Sequence, residues 1–402
     1  MSGFSGHVPG SREYRRLLVG LFFGGVATFA QLYATQALLP QIASATGTQP
    51  AQAALTVSAS TLGLAVAVLP WSIVADRVGR VAAMAVGIVT ATALGALSPL
   101  AQNLGVLLAL RIVEGVALGA VPAVALAYLS EEVDARHVAA AAGSYIAGTT
   151  VGGLTGRVVS GLFGELAGWR WGVASVIGVC VVASSVFLAL VPRARGFLPG
   201  RTRAVAGPTV MARLLVNLRS GRQLTLYAQG FLLMGAFVAV YNYLGFHLAA
   251  PPFVLAPGVV TLLFLAYLAG TVSSPRAGAL AVRRGRFIVL VASIAVMAAG
   301  AALMAVPVTL VVIAGLVVFT AGFFAAHAVA SGWTPVAAAP EARAQASSLY
   351  YLGYYGGSSL FGWLLGVVFA QSGWSWFVGV VVAMCALSAG LALLALRPRR
   401  VV

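Results

Sequence analysis

Residues 70–80 read Pro70-Trp-Ser-Ile-Val-Ala-Asp76-Arg77-Val-Gly79-Arg80, a short polar break between two long apolar stretches. An apolar helix that runs into Asp-Arg-x-Gly-Arg has to turn tightly. Gly79 lets the backbone reverse, and the Asp76 carboxylate can dock on a neighbouring helix N-terminus or on an arginine. The chain attempts the same turn at Gly278-Ala-Leu-Ala-Val-Arg-Arg-Gly-Arg286, where Ser72, Asp76, Arg77, Gly79 and Arg80 fall on Gly278, Val282, Arg283, Gly285 and Arg286 at a constant 206-residue spacing. A hairpin turn repeated in both halves of an apolar chain points to a two-bundle carrier.

Composition agrees. The 402 residues are 61% hydrophobic and 8% charged, far from the roughly one quarter charged that soluble domains carry. At about 20 apolar residues per span the length accommodates about twelve transmembrane helices, and the apolar runs are continuous rather than alternating, which favours helices over a barrel. The net charge of +16 invites a nucleic-acid reading, yet the arginines are scattered over short loops and no basic face forms. Cys180 and Cys385 lie in apolar runs and read as buried thiols, with neither disulfide nor metal expected. Residues 1–16 are polar, with no small-residue cleavage site after the first apolar run, so no removed signal peptide is expected.

Spans are predicted over about residues 17–39, 53–74, 81–100, 104–129, 139–163 and 171–190, then 224–248, 254–272, 287–306, 309–332, 346–369 and 376–396. The fold class is therefore an all-α polytopic membrane protein of two pseudo-symmetric six-helix bundles, residues 1–191 and 223–402. Between them residues 192–222 form a cytoplasmic linker with seven arginines and no acid. With an even helix count, 21 of the 24 arginines share one side, which places both termini in the cytoplasm of an inner or plasma membrane protein. A second repeat joins helices 5 and 11: Tyr145, Gly148 and Gly152 fall on Tyr350, Gly353 and Gly357, 205 residues on. Parallel repeats of this kind are expected to form a substrate path near the bilayer midplane.

These motifs resemble the major facilitator superfamily over nearly the whole chain. The signature turn Gly-x-x-Ala-Asp-Arg-x-Gly-Arg corresponds to Ser72-Ile-Val-Ala-Asp-Arg-Val-Gly-Arg80, with Ser72 for the opening glycine. The helix 4 signature Arg-x-x-Gln-Gly corresponds to Arg111-Ile-Val-Glu-Gly115, with Glu114 at the glutamine position. The antiporter motif Gly-x-x-x-Gly-Pro-x-x-Gly-Gly is similar to Ser144-Tyr-Ile-Ala-Gly-Thr-Thr-Val-Gly-Gly153, with Thr149 for the proline. The stretch Leu32-Tyr-Ala-Thr-Gln-Ala-Leu-Leu-Pro-Gln-Ile42 is similar to the YnfM-like branch of bacterial drug exporters. The resemblance implies alternating access, a central cavity lined by helices 1, 4, 5, 7, 10 and 11, and a gating role for Asp76, Arg77, Gly79 and Arg80.

Arg111 and Glu114, spaced i, i+3, share one face of helix 4. Counted from Leu104, Glu114 lies roughly 15 Å deep, about half way across the core, and no other carboxylate is placed inside a helix. Ionisable groups at that depth are costly and face a cavity or a partner. Two readings stay open: a proton-coupling or anion site, or a static ion pair. Arg157 is either a further member of that site or an arginine snorkelling to the outer interface, and His327 either relays protons or packs. Gln31, Tyr33, Gln36, Tyr145, Tyr241, Asn242, Tyr350, Tyr351, Tyr354 and Tyr355 are the candidate cavity lining. An aromatic wall with few charges suits flat, apolar or cationic compounds, although Tyr33 and Tyr241 could instead sit in interfacial belts. Gly148, Gly152 and Gly153 serve close helix packing.

The expected function is proton-driven efflux of small hydrophobic or cationic compounds, with a proton-linked importer or uncoupled facilitator as the alternative. No cofactor is expected beyond the proton gradient. The partners are a small-molecule substrate, protons and the lipid bilayer, and one chain holding both halves is expected to act as a monomer. No clustered Ser/His/Asp, metal-ligand spacing or phosphate loop is present, so an enzyme is not expected.

Overall fold

The computed structural model describes residue 4 and residues 6–196 and 209–397. Residues 197–208 of the arginine-rich linker, and the last residues of the basic tail after Arg397, lie outside the described residues. In chain order the helices are α1 Arg12–Leu32, α2 Leu39–Thr46, α3 Pro50–Val78, α4 Arg80–Leu97, α5 Leu104–Leu118, α6 Ala120–Glu132, α7 Val138–Ala167 and α8 Trp169–Leu190. They continue as α9 Val210–Leu218, α10 Gly221–Ala249, α11 Pro257–Leu262, α12 Leu268–Arg284, α13 Arg286–Leu303, α14 Thr309–Ala337 and α15 Arg343–Ala395. Among the described residues the one bridge outside helices is the isolated parallel pair His7–Val133.

Among the described residues, ten continuous helical stretches are long and apolar enough to cross a bilayer. One of them contains α15, which is two helices joined at Gly373, where φ is 75° and ψ −177°. Helix α7 has 30 residues and is diluted by glycine, threonine and Arg157. Counting α7 and dividing α15 gives the twelve spans of a polytopic all-α membrane protein.

Two compact units divide the chain: Met1–Thr48 with Ala59–Val205, and Gln49–Ser58 with Ala206–Val402. Each has the same internal plan. The signature turn is made by Gly79 at φ 98°, ψ 152°, and its repeat by Gly285 at φ 88°, ψ 142°. A second pair, Gly168 at φ 86° and Gly373 at φ 75°, closes the last hairpin of each unit 205 residues apart. A side chain is strained at such φ values, so these glycines carry the repeat into backbone geometry.

Packing repeats as well. In the first unit α1 lies against α7, and a Cβ on Gly148, Gly152 or Gly156 would run into the backbone of Phe22, Val26 or Ala30. Those glycines, four residues apart, are what allow the two helices to approach backbone to backbone. In the second unit α10 lies against α15, with Gly353 and Gly357 against Tyr227 and Phe231 at the corresponding positions. At the third step the small residue changes helix. Gly156 faces Ala30 in the first unit, whereas Phe361 fills the space over Gly235 in the second.

The predicted spans differ from the helices at three places. Helix 1 breaks after Leu32 and resumes as a 3-10 turn, Gln36–Leu38, leading into α2. Helix 4 is interrupted at Gly119, between α5 and α6. Helix 8 was expected to end near residue 272 but continues as α12 through Pro275 to Arg284. The polar run Ser273-Ser274-Pro275 reads as a loop, yet the Ser274 hydroxyl donates to the Phe324 carbonyl at 3.3 Å and Gly270 packs on the Phe324 ring.

Candidate functional site

The break at Leu32 organises the buried charge of the first unit. A helix that stops inside an apolar environment leaves carbonyls without intrahelical donors. Arg111 supplies them: its Nη1 donates to the Gln31 carbonyl at 3.2 Å and its Nη2 to the Leu32 carbonyl at 2.7 Å. The same Nη1 reaches Glu114 Oε2 at 2.7 Å, and the two side chains are 1% and 0% exposed. Glu114 Oε1 accepts no hydrogen bond among the described residues. The other seven carboxylates (Glu13, Asp76, Glu131, Glu132, Asp134, Glu165 and Glu341) sit near helix ends or in loops. A buried carboxylate with one oxygen held by Arg111, the Gln31 side chain beside it and the other oxygen available can take up a proton without moving its arginine partner.

Arg157 is 2% exposed, so it does not snorkel to the interface. Its Nε donates to Gln36 Oε1 at 2.6 Å, its Nη1 to the Gly153 carbonyl at 2.6 Å, and its guanidinium lies 3.9 Å over the Tyr33 ring. The structure thus brings Tyr33, Gln36, Gly153 and Arg157 into one cluster. Gln31 joins the other: its backbone carbonyl meets Arg111 and its side-chain amide donates to the Ala91 carbonyl. Tyr33, at 5% exposure, is buried in protein and is not part of an interfacial belt; Tyr145 is buried in the core with Leu21, Met84 and Tyr128.

Among the described residues the second unit buries no such charges, and several of its buried polar side chains bond neutral partners. His327 Nδ1 lies 2.9 Å from the Tyr350 hydroxyl, and rings of Phe323, Tyr350, Tyr351 and Tyr354 surround the imidazole. Tyr355 packs edge-on to Tyr354, while Tyr351 keeps the most exposed ring of the group. Tyr241 shares a hydrogen bond of 2.7 Å with Thr320 inside a stack of Phe237, Phe264 and Tyr267. Asn242 donates to the Gly362 carbonyl at 3.2 Å. Tyr241 is likewise buried and not interfacial.

At the signature turn, Asp76 Oδ1 accepts from Arg80 Nη1 at 2.6 Å, and Arg80 also grips Glu131 through Nη2 at 2.9 Å and Nε at 3.1 Å. Glu131 was not legible as the second partner, because only the tertiary fold brings the end of α6 beside the turn. Its neighbour Glu132 carries no local signal in the sequence either. Fully buried, Glu132 accepts the backbone N–H groups of Arg195 and Gly196 at 2.6 Å each, and His7 Nε2 stands 3.9 Å away. Outside the spans, hydrogen bonds from the exposed Arg136 guanidinium hold the Asp134 carboxyl below the ordinary carboxylate range.

Two repeated six-span units, glycine-mediated helix contacts and a buried intramembrane ion pair define a membrane carrier. The pattern of the Major Facilitator Superfamily matches residues 21–360. The inner membrane transport protein YnfM of Escherichia coli (strain K12) is 40% identical over 375 residues, covering 93% of this chain and 89% of that protein. The MFS-type transporter YybF of Bacillus subtilis (strain 168) is 33% identical over 365 residues, 91% of this chain and 89% of the relative. Among solved structures, a bacterial homologue of the human lysosomal transporter Spinster superposes with a TM-score of 0.77 at 14% identity, covering 96% of this chain and 98% of that one. The nucleoside transporter NupG gives 0.76 at 15% identity, with 94% and 100% covered. At such identities the likeness is one of fold. The chain belongs to the major facilitator superfamily and is a membrane transporter, not an enzyme.

Proposed function

We propose that the protein is a proton-coupled exporter of small hydrophobic or cationic compounds, working by alternating access in the bacterial inner membrane with both termini in the cytoplasm. The observation that carries this reading is Glu114: fully buried, in mid-span, with Oε2 bound to Arg111 and Oε1 accepting no hydrogen bond among the described residues. Intramembrane carboxylates of this kind mark proton relays. In the reading, Glu114 takes up a proton, Arg111 steadies the ionised form, and Arg157 and His327 stand by as further polar members. The rings of Tyr350, Tyr351, Tyr354 and Tyr355 around His327 favour apolar or cationic guests over sugars, which require many hydrogen-bonding partners. The Asp76–Arg80–Glu131 network serves as a gate lock on the linker side. A single chain carries both halves across the linker, which is consistent with a monomer driven by the proton gradient without a cofactor.

The test is transport into proteoliposomes with a panel of lipophilic cations. An exporter that exchanges protons for substrate accumulates a compound when the lumen is acid. Accumulation only with an acid exterior would identify a proton-linked importer, and mere equilibration under either gradient an uncoupled facilitator.

A further inference from the structure

Helix α9 is a nine-residue amphipathic helix ahead of the span α10, capped at its start by the Thr209 hydroxyl accepting from the Ala212 N–H at 3.2 Å. One face docks on its own unit: Asn217, 1% exposed, donates to the Ala342 carbonyl at 3.0 Å. The opposite face is apolar and open. Met211, Leu215 and Leu218, spaced i, i+4 and i+7, are 63%, 42% and 43% exposed. Ser220, extended at φ −87° and ψ 110°, separates α9 from the first residue of α10, so the chain changes direction where the span begins. The helix thus immediately precedes the candidate membrane span Gly221–Ala249.

The helix carries its own positive charge: Arg213 lies within α9, and Arg219 and Arg222 follow it directly, with no acidic residue between positions 192 and 222 of the sequence. The sole carboxylate of the second unit is Glu341, in the short turn Pro340–Ala342 against which α9 packs. A three-residue stripe falls far short of the roughly 1,000 Å² that a specific protein partner covers, whereas it is the usual inventory of an interfacial helix: apolar face down, arginines at headgroup level. We propose that α9 is an anionic-phospholipid anchor that ties the end of the linker to the membrane surface.

The test uses the full chain. Cys180 and Cys385 are buried, so a thiol-reactive fluorophore is directed to Met211→Cys, Leu215→Cys or Leu218→Cys, with the exposed Arg136→Cys as a loop control. Each variant is reconstituted in phosphatidylcholine vesicles with or without phosphatidylglycerol. The fluorophore is then challenged with a headgroup-level spin-labelled lipid and with aqueous iodide. The expected result is about twofold stronger quenching by the spin-labelled lipid than by iodide at all three helix positions, the reverse at position 136, and a gain on adding phosphatidylglycerol that Arg219→Gln with Arg222→Gln removes. Stronger iodide quenching at the helix positions would place the face in water. Protection from both quenchers would show that protein covers it, and equal lipid quenching in both vesicle types would rule out anionic selectivity; each of these outcomes overturns the proposal.

Discussion

The two units share a backbone plan and differ in how they satisfy polar groups inside it. The first buries Arg111, Glu114, Arg157 and Glu132. The second, whose only carboxylate is Glu341, closes its interior with neutral pairs: Gln229 with Ser388, Tyr241 with Thr320, and His327 with Tyr350. The signature turns repeat the contrast. Asp76 is bonded to Arg80, whereas Val282, at the position of Asp76 in the second turn, is 88% exposed and has no carboxylate to offer Arg286. Neutral hydrogen bonds are worth about 1 kcal/mol each, while removing one partner of a buried ion pair costs about 3–5 kcal/mol. A chain that keeps the costly arrangement in one half only has concentrated its titratable chemistry there.

The largest effect follows from that asymmetry. Arg111→Ala strands Glu114 and the Leu32 carbonyl, and thermal unfolding in detergent should register a loss of about 3–5 kcal/mol. Gln229→Leu in the second unit should cost about 1–3 kcal/mol, since a buried serine loses its partner. Equal losses would erase the contrast.

The helix pairs provide a sharper comparison at the third packing step. Gly156→Phe alone should destabilise the first unit by about 1–3 kcal/mol through overpacking against Ala30. Adding Ala30→Gly reproduces the Phe361–Gly235 arrangement of the second unit and should recover part of the loss. Additive losses in the double variant would mean that the two helix pairs are not interchangeable. Smaller still is the difference between turns: Arg80→Ala should cost about 1 kcal/mol and Arg286→Ala less than half of that, given their partial exposure. Smallest is Asp134. Its carboxyl is held low in the folded chain, so its contribution is present above the unfolded-state pKa and is lost as pH falls through the folded value. Its partner Arg136 is exposed and the pair is screened by solvent, so Asp134→Asn should lower the unfolding temperature at neutral pH only slightly, less than Arg80→Ala does, and the difference should vanish at acid pH.

Much of this plan is legible in the primary structure because it rests on residue types that admit few alternatives. Gly79 and Gly285 announce their turns, the glycines of helix 5 announce close packing, and Glu114 announces itself as a carboxylate in an apolar run. What stays hidden depends on contacts between distant segments. Nothing local to Leu32 signals that helix 1 breaks there, since the break is stabilised by Arg111, about eighty residues on. The same holds for Glu131 at the signature turn and for Glu132 holding the start of the linker. Helix α9 was hidden differently: nine residues are too few for a periodicity to stand out within an arginine-rich stretch read as linker.

Glu114→Gln is the most direct test of the claim that coupling resides in the first unit. The amide keeps the shape and a hydrogen-bonding oxygen for Arg111 but cannot exchange a proton. In proteoliposomes with an acid lumen, wild-type protein should accumulate a transported lipophilic cation against its gradient. The variant should only equilibrate it while retaining counterflow. Accumulation by Glu114→Gln at the wild-type level would contradict the account and leave Arg111–Glu114 as a structural pair.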